Sequence, residues 1–189
     1  MLTNSPSRYA EHGTTMIEVL VSIVILAFGL LGLAAFQLRA LGTELEAYQR
    51  AQALVLVNDM VSRIQANRAN AASYVASSLG TGAANCTVVA GTAAGDQCEW
   101  SEMLKGSAEQ KGGTKVGAMA NARGCITQVQ APNTTAGVCL PGIYEVSVAW
   151  QGLNATTASP NTCGAGNYGD DAQRRVLSTR VAIGLFSCS

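Results

Sequence analysis

Histidine is almost absent from the sequence, and this absence narrows the chemistry available to the chain. The single histidine, His12, precedes a long apolar stretch, and no GxSxG, Walker or GxGxxG sequence occurs. Histidine-based triads and imidazole metal sites are therefore excluded from the rest of the chain. Asp170 and Asp171 offer adjacent oxygen ligands for calcium, but a solvated turn explains this pair better. We expect no enzyme, no cofactor and no metal site.

Net charge is also missing. The 12 Lys and Arg residues balance the 12 Asp and Glu residues, so long-range attraction to nucleic acid or acidic lipid is not built into the composition. One basic cluster lies in a glycine-rich stretch without interleaved aromatic residues: Lys105, Lys111, Lys115 and Arg123. This arrangement is more typical of a solvated surface than of a nucleic-acid track. We do not expect a nucleic-acid partner.

Close cysteine pairs are absent, although the chain contains six cysteines. They are Cys86, Cys98, Cys125, Cys139, Cys163 and Cys188. Zinc sites usually use CxxC pairs or histidines, so the even count predicts disulfides in an oxidising compartment. Fifteen connectivities are possible for six cysteines. We predict bonds between neighbours: Cys86 with Cys98, Cys125 with Cys139, and Cys163 with Cys188.

Proline is missing between Pro6 and Pro132, and this gap contains the longest apolar run. Residues 19–36 have one plainly polar member, Ser22, and as a helix they span roughly 27 Å. The run is too long for the core of a secretory signal, so we predict a retained membrane helix. Glu18 directly precedes it. This carboxylate either lies at the headgroup level, near the positive end of the helix dipole, or meets a positive partner after the helix leaves the lipid.

The same helix is predicted to continue beyond the membrane to about Ala66 or beyond. Apolar residues recur there at spacings of three and four, with charged residues largely on the other side. The stripe consists of Leu45, Tyr48, Leu54, Val57, Val61 and Ile64. We interpret it as a face that packs on a core.

Later segments alternate between apolar and polar residues with the period of a β-strand. One runs from Tyr144 to Trp150 and another from Leu177 to Leu185; residues 125–129 predict a weaker third strand and residues 87–89 a short one. A sheet of this kind needs a cover on its apolar face, and the segment from Leu54 to Ile64 is the obvious one. The predicted fold class is therefore α+β, a long N-terminal helix packed on an antiparallel sheet.

The remaining segments are predicted as connections. Residues 99–105 favour one or two helical turns with Trp100 and Leu104 inward, and Ser77 and Ser78 near Gly80 indicate a helix end. Residues 105–124 read as an exposed loop, and residues 152–175 as a turn-rich excursion between two strands.

The start of the helix resembles a known processing signal. Gly13 is followed by Thr14, Thr15, Met16, Ile17, Glu18 and the apolar run, which is similar to the class III signal of type IV prepilins. The resemblance implies that prepilin peptidase cuts after Gly13 and that Thr14 becomes an N-methylated first residue. It also implies that Glu18 pairs with the N-terminal amine of a neighbouring subunit. Thr14 stands where Phe or Met is common in that family, and Ala35 stands where many major pilins have a helix-bending proline.

The predicted layout also resembles the type IV pilin fold, with disulfide-tied loops. It implies four parts: a leader at 1–13, the membrane and assembly half of the helix at 14–40, its amphipathic half at 41–79, and a β-rich periplasmic domain at 80–189. The low charge, the six cysteines and the apolar start are most similar to minor pilins of the PilV type.

Such a subunit would help to start a type IV pilus and be incorporated at or near its tip. The implied partners are other minor pilins, the major pilin, a tip adhesin and prepilin peptidase. The implied location is the bacterial inner membrane with a periplasmic domain, and then the extracellular pilus. Two alternatives stay open: a minor pseudopilin of type II secretion, and an adhesion or DNA-binding module whose loops, 105–124 or 152–175, are carried on a pilin scaffold.

Overall fold

The structure, a computed structural model, describes residues 15–81, 86, 87, 89, 91–106, 110, 111, 114, 115, 119 and 121–185. Its first element is helix α1, Met16–Ala66, which contains 51 residues without a proline. The chain divides into two units, residues 1–43 and residues 44–189, and α1 contributes to both. A single long helix to Ala66 was predicted, and this prediction is confirmed.

The segment after α1 differs from the prediction. The division of the chain assigned residues 41–79 to the amphipathic half of the helix, but Asn67 leaves the helical region, with φ −111° and ψ 41°, and a 3-10 helix follows at Arg68–Tyr74. Asn70 is also non-helical, and its side-chain amide donates to the side-chain oxygen of Asn67 at 2.8 Å. Strand β1, Ala76–Leu79, comes next, so Ser77 and Ser78 lie in a strand and not at a helix end.

A four-stranded antiparallel sheet forms the centre of the second unit. It consists of β1, β4 (Arg123–Gln130), β5 (Gly142–Gln151) and β6 (Arg174–Ile183), in the order β1-β4-β5-β6. Two short strands, β2 (Gln110–Lys111) and β3 (Thr114–Lys115), pair within the stretch that was predicted as a loop. The three strands predicted from alternation are confirmed as β4, β5 and β6. Thr87 and Val89 are not in a strand, and Val88 lies outside the described residues.

Helix α1 covers one face of this sheet, as predicted. Its buried residues are Gln49, Ala53, Leu56, Val57, Met60 and Ile64. They share one core with the inward side chains of the strands, which are Ile126, Tyr144, Val146, Val148, Trp150, Val181 and Ile183.

The predicted apolar stripe of α1 is only partly correct. Val57 and Ile64 are fully buried and Val61 packs against the core. Leu45, Tyr48 and Leu54, however, are about half exposed, at 54%, 49% and 50%. The helix is rotated from the predicted orientation because residues 54–57 are apolar all round, so hydrophobicity alone does not select a face there.

Helix α2, Ala93–Leu104, extends the helical turns predicted at residues 99–105. Thr92 caps it, since its hydroxyl accepts a hydrogen bond from the backbone N–H of Gly95 at 3.1 Å. Trp100 and Leu104 face inward, as expected, and the indole N–H of Trp100 donates to the carbonyl oxygen of Leu56 at 2.8 Å. This bond ties α2 to α1.

The disulfides correct the predicted pairing. Cys86 and Cys98 are joined as predicted, but Cys125 is joined to Cys163, so neither the Cys125–Cys139 nor the Cys163–Cys188 bond is present. Cys139 is disulfide-bonded as well, and Cys188 lies outside the described residues. Cys125 faces away from α1, and the excursion that follows β5 returns over this outer face of the sheet, which brings Cys163 to it.

A second, smaller core lies on that outer face. Cys125, Cys163, Ala149 and Tyr168 are buried together, with Val176 packed against them. The excursion between β5 and β6 was predicted as a turn-rich segment, and the structure shows that it shields part of the sheet from solvent. The sheet is therefore covered by α1 on one face and partly by this excursion on the other.

Candidate assembly site on the N-terminal helix

Glu18 lies in the first turn of α1 and is exposed. Its backbone N–H donates to the carbonyl oxygen of Thr15 at 3.0 Å, and its own carbonyl oxygen accepts from the Ser22 hydroxyl at 2.7 Å. Its carboxylate makes no hydrogen bond or ion pair with any residue that the structure describes. A negative charge at this helix end is favoured by the dipole, but it has no specific partner within the described chain.

The helix after Glu18 presents apolar side chains on every side. From Met16 to Leu38 the large apolar residues are between 47% and 89% exposed, and an 18-residue window with mean hydropathy 2.8 has none of its residues buried. The Ser22 hydroxyl is already bonded within the helix, so it adds no unsatisfied donor. This half of α1 is long and apolar enough to cross a membrane.

Two glycines interrupt this apolar surface. A Cβ atom added at Gly29 or Gly32 would meet no other atom within 4 Å. Each glycine costs about 1 kcal/mol of helix stability relative to alanine, and no contact in the described chain requires it. Any requirement for these glycines therefore comes from outside the monomer or from a need to loosen the helix.

The exposed apolar surface continues past the membrane half. Leu45, Tyr48, Leu54 and Val55 are between 49% and 65% exposed, on helix faces turned away from the sheet. In an isolated subunit this exposed surface would be unfavourable, because the hydrophobic effect lowers the free energy only when apolar area is removed from water. This surface is available for contact with an apolar partner.

A charged network holds the other end of α1. The Arg63 guanidinium bonds Asp59 at 2.8 Å, Asp96 at 3.1 Å and Glu99 at 2.8 Å, and the Tyr74 hydroxyl donates to the other oxygen of Asp96. Burial alone would lower the pKa of Arg63, but the bond to Glu99 and the interactions with Asp59 and Asp96 raise it. Burial, and then the bond to Asp96, raise the pKa of Tyr74. The network joins α1, the 3-10 helix and α2.

A second tie joins α1 to β6. The Arg175 guanidinium lies 3.3 Å from a carboxylate oxygen of Glu46 and also donates to the carbonyl oxygen of Asn154 at 2.6 Å. Sequence reasoning missed Arg63, Asp96 and Arg175. The only signal in the sequence was the i, i+4 spacing of Asp59 and Arg63, since the other partners lie far apart along the chain.

Two of the predicted site residues, Gly13 and Thr14, lie outside the described residues. The structure thus describes Glu18 and the helix behind it, and it leaves the cleavage and methylation of the preceding residues as predictions.

Two family models match the chain over adjacent segments. Residues 8–34 match the prokaryotic N-terminal methylation motif, and residues 35–105 match the type IV pilin Tt1218. The chain is a type IV pilin. No curated protein and no solved structure matches this pilin. The second match extends from the helix through α2, and it agrees with the fold, in which a long N-terminal helix packs on a four-stranded antiparallel sheet.

Membership of this family accounts for the apolar half of α1. A prepilin signal followed by such a helix fits membrane anchoring and later assembly into a pilus, where the partners are other pilins, with prepilin peptidase acting first. Pilins are structural subunits, and the described residues contain no cluster of three or more metal-ligating side chains.

Proposed function

We propose that this pilin is a minor pilin of the PilV type that takes part in pilus initiation at the inner membrane and is incorporated at or near the tip. The observation that carries the proposal is the Glu18 carboxylate, which lies at the start of an apolar helix and has no partner among the described residues. In lipid, a carboxylate at this depth is costly. Beside the N-terminal amine of another subunit it gains an ion pair in a site from which water is largely excluded.

The mechanism is a transfer of α1 from lipid to a helix bundle. Apolar contact with lipid is exchanged for apolar contact with neighbouring helices, so the exchange gains little by itself. The Glu18 ion pair and close packing at Gly29 and Gly32 supply the preference for the filament. The exposed residues from Leu45 to Val55 extend the same contact beyond the membrane. Other minor pilins, the major pilin and a tip adhesin are the proposed neighbours.

A substitution at Glu18 tests this mechanism. In Glu18→Ala the helix still inserts, because removing a charge only favours lipid, but the subunit loses its ion pair. We expect at least a tenfold reduction of this subunit in sheared pili, with an unchanged amount in the inner-membrane fraction, both measured by immunoblot. Glu44→Ala is the matched control, since Glu44 is an exposed acid on the same helix. Normal incorporation and normal crosslinking of Glu18→Ala to other pilins would refute the proposal.

A type II secretion pseudopilin is the second candidate, because it begins with the same signal and helix. Deletion of the chain's gene separates the two: a minor pilin changes piliation, whereas a pseudopilin changes the release of secreted enzymes.

The structure gives less support to a DNA-binding role. Lys105 and Arg123, the two clustered cations whose side chains the structure describes, have internal partners: Lys105 is paired with Glu102, and Arg123 donates to the carbonyl oxygens of Gly80, Asn121 and Ala122. A cation that is engaged in this way gains less from a phosphate, because it must first give up its partner.

A further inference from the structure

A polar groove lies on the outer face of the sheet, opposite α1. It has a volume of about 290 Å³ and is bounded on one side by Ser77 and the outward side chains of β4 and β5, and on the other by the excursion at residues 160–163. Thr127 of β4 stands directly opposite Glu145 of β5, and Cys125 stands opposite Ser147. Strand pairing therefore brings a carboxylate and two hydroxyls onto one patch of the sheet.

The loop wall of the groove is held rigidly. The Cys125–Cys163 disulfide attaches it to β4. The buried Arg174 guanidinium donates to the carbonyl oxygens of Ser159 at 2.9 Å and Cys163 at 3.1 Å, and to the carbonyl oxygen of Asn161. The two carboxylate oxygens of Asp171 accept hydrogen bonds from the same guanidinium at 2.6 and 2.8 Å. A ligand would meet a preformed wall and would not have to order it.

The polar groups of the groove retain hydrogen-bond donors and acceptors that a ligand can use. The Ser147 hydroxyl accepts from the Asn161 amide at 3.0 Å, which leaves its own hydrogen for donation. The hydroxyls of Thr127 and Thr162 make no hydrogen bond with any residue in the described part of the chain. Glu145 lies 3.8 Å from Arg180, too far for a hydrogen bond, so its carboxylate oxygens can still accept.

The chemistry of this lining selects the class of ligand. A single carboxylate disfavours anions, and it is too few for a divalent cation, which takes six or more oxygen ligands. The mixture of donors and acceptors disfavours an apolar ligand. A neutral molecule with several hydroxyls matches the lining, because adjacent hydroxyls can donate to Glu145 and accept from Ser147 and the threonines. Pro160 and the disulfide provide apolar contacts for the C–H face of a ring.

We propose that this groove binds a neutral saccharide, one pyranose ring at a time, with Glu145, Thr127 and Ser147 as its hydrogen-bonding residues. The volume lies at the low end of small-molecule sites, which fits one ring. The proposal is independent of whether the pilin serves a pilus or a secretion system, and it gives the subunit a contact with glycans in addition to its contact with other pilins.

Saturation-transfer NMR on the full-length protein tests this proposal. The protein is held in dodecylphosphocholine micelles, because sugar-based detergents would compete. The probes are the methyl pyranosides of glucose, galactose, mannose and N-acetylglucosamine. We expect at least one of them to bind with a dissociation constant in the millimolar range, which is usual for a single small ring.

Three variants locate the binding. Glu145→Gln and Thr127→Val keep the shape of the side chain but remove the charge or the hydroxyl, and each should weaken binding about tenfold. Ser178→Ala is the control, because Ser178 is exposed on the same sheet face, opposite Ser147, but does not line the groove. Absence of binding by all four pyranosides, or binding that Glu145→Gln and Thr127→Val leave unchanged, overturns the proposal.

Discussion

At the scale of single residues, Gly124 shows how tightly α2 is seated on the sheet. A Cβ atom at this position would overlap the ring of Trp100 and lie 2.7 Å from Cδ1 of Leu104. Neither neighbour can move easily, since both are buried and Trp100 is hydrogen-bonded to α1. The position therefore requires glycine because of the close approach of a helix, and not because of its backbone conformation.

We expect Gly124→Ala to lower the free energy of unfolding by about 3 kcal/mol, the upper part of the usual range for overpacking. Urea unfolding followed by near-ultraviolet circular dichroism, which reports on the tryptophans, measures the change. Gly184→Ala serves as the control because a Cβ there meets no atom within 4 Å. Equal stability of Gly124→Ala and the wild type would show that α2 lies farther from β4 than described.

Tyr168 makes stability depend on pH in the alkaline range. Burial raises the pKa of Tyr168 to about 12 from its ordinary value of 10.0, against the opposing charges of Arg123 and Arg174. Tyr168 thus keeps its hydroxyl proton in the folded state at a pH where it loses that proton in the unfolded state. Stability is fully present below pH 10 and falls as the pH rises towards 12.

The absorbance of tyrosinate measures this directly. In the wild type we expect a tyrosine that ionises near pH 12, and in Tyr168→Phe this step should be missing while the other tyrosines titrate as before. The substitution keeps the ring in the second core and removes only the hydroxyl that donates to the Asn121 carbonyl oxygen. Ionisation of every tyrosine near pH 10 would contradict the burial of Tyr168.

At the scale of the elements, α1 separates two kinds of apolar residue that the sequence does not distinguish. Ile64 is fully buried, while Leu54 is half exposed. We expect Ile64→Ala to destabilise the protein by about 2–5 kcal/mol, because it leaves a cavity, and Leu54→Ala to change stability by no more than about 0.5 kcal/mol. Urea unfolding compares them. Similar losses of stability in both variants would contradict the observed orientation of α1 and support the orientation predicted from the apolar stripe.

The strands show which elements a sequence can predict. The segments that became β5 and β6 alternate strictly because one face of each meets α1, so both the strands and their inward residues followed from the pattern. Strand β1 has the sequence Ala-Ser-Ser-Leu at the edge of the sheet, and its two serines are exposed while Ala76 and Leu79 are partly buried. Its sequence has no apolar face from which a strand could be predicted, and its pairing with β4 decides its conformation.

At the scale of the whole molecule, the candidate site also has a part that the sequence predicts and a part that it does not. Glu18 and the apolar helix were predictable, because a charge beside a membrane-length run is a local signal. The ties from Arg63 and Arg175 depend on the packing of α1 against α2 and β6, and the outer-face groove depends on the pairing of β4 with β5. In each case the partners lie far apart in the chain, and a single sequence does not show which distant residues meet.

The mature N-terminus is the decisive property of the whole chain for pilus assembly. We expect mass spectrometry of the protein from cells that contain prepilin peptidase to give a chain that starts at Thr14 and carries one added methyl group. In cells without the peptidase the chain should begin at Met1. An intact Met1 in peptidase-containing cells would show that the chain is not processed as a prepilin, and this would refute the proposed function.

The Cys125–Cys163 bond also has a consequence for biosynthesis. Cys125 lies 38 residues from Cys163 but only 14 from Cys139. In an unfolded chain the shorter loop closes more readily, by about 0.9 kcal/mol or roughly fourfold. The pairing suggested by sequence proximity is therefore also the one that a newly made, unfolded chain tends to form first in an oxidising environment. Yield of the native subunit should depend on an isomerase that reshuffles this early, mispaired bond until β4, β5 and the excursion have come together.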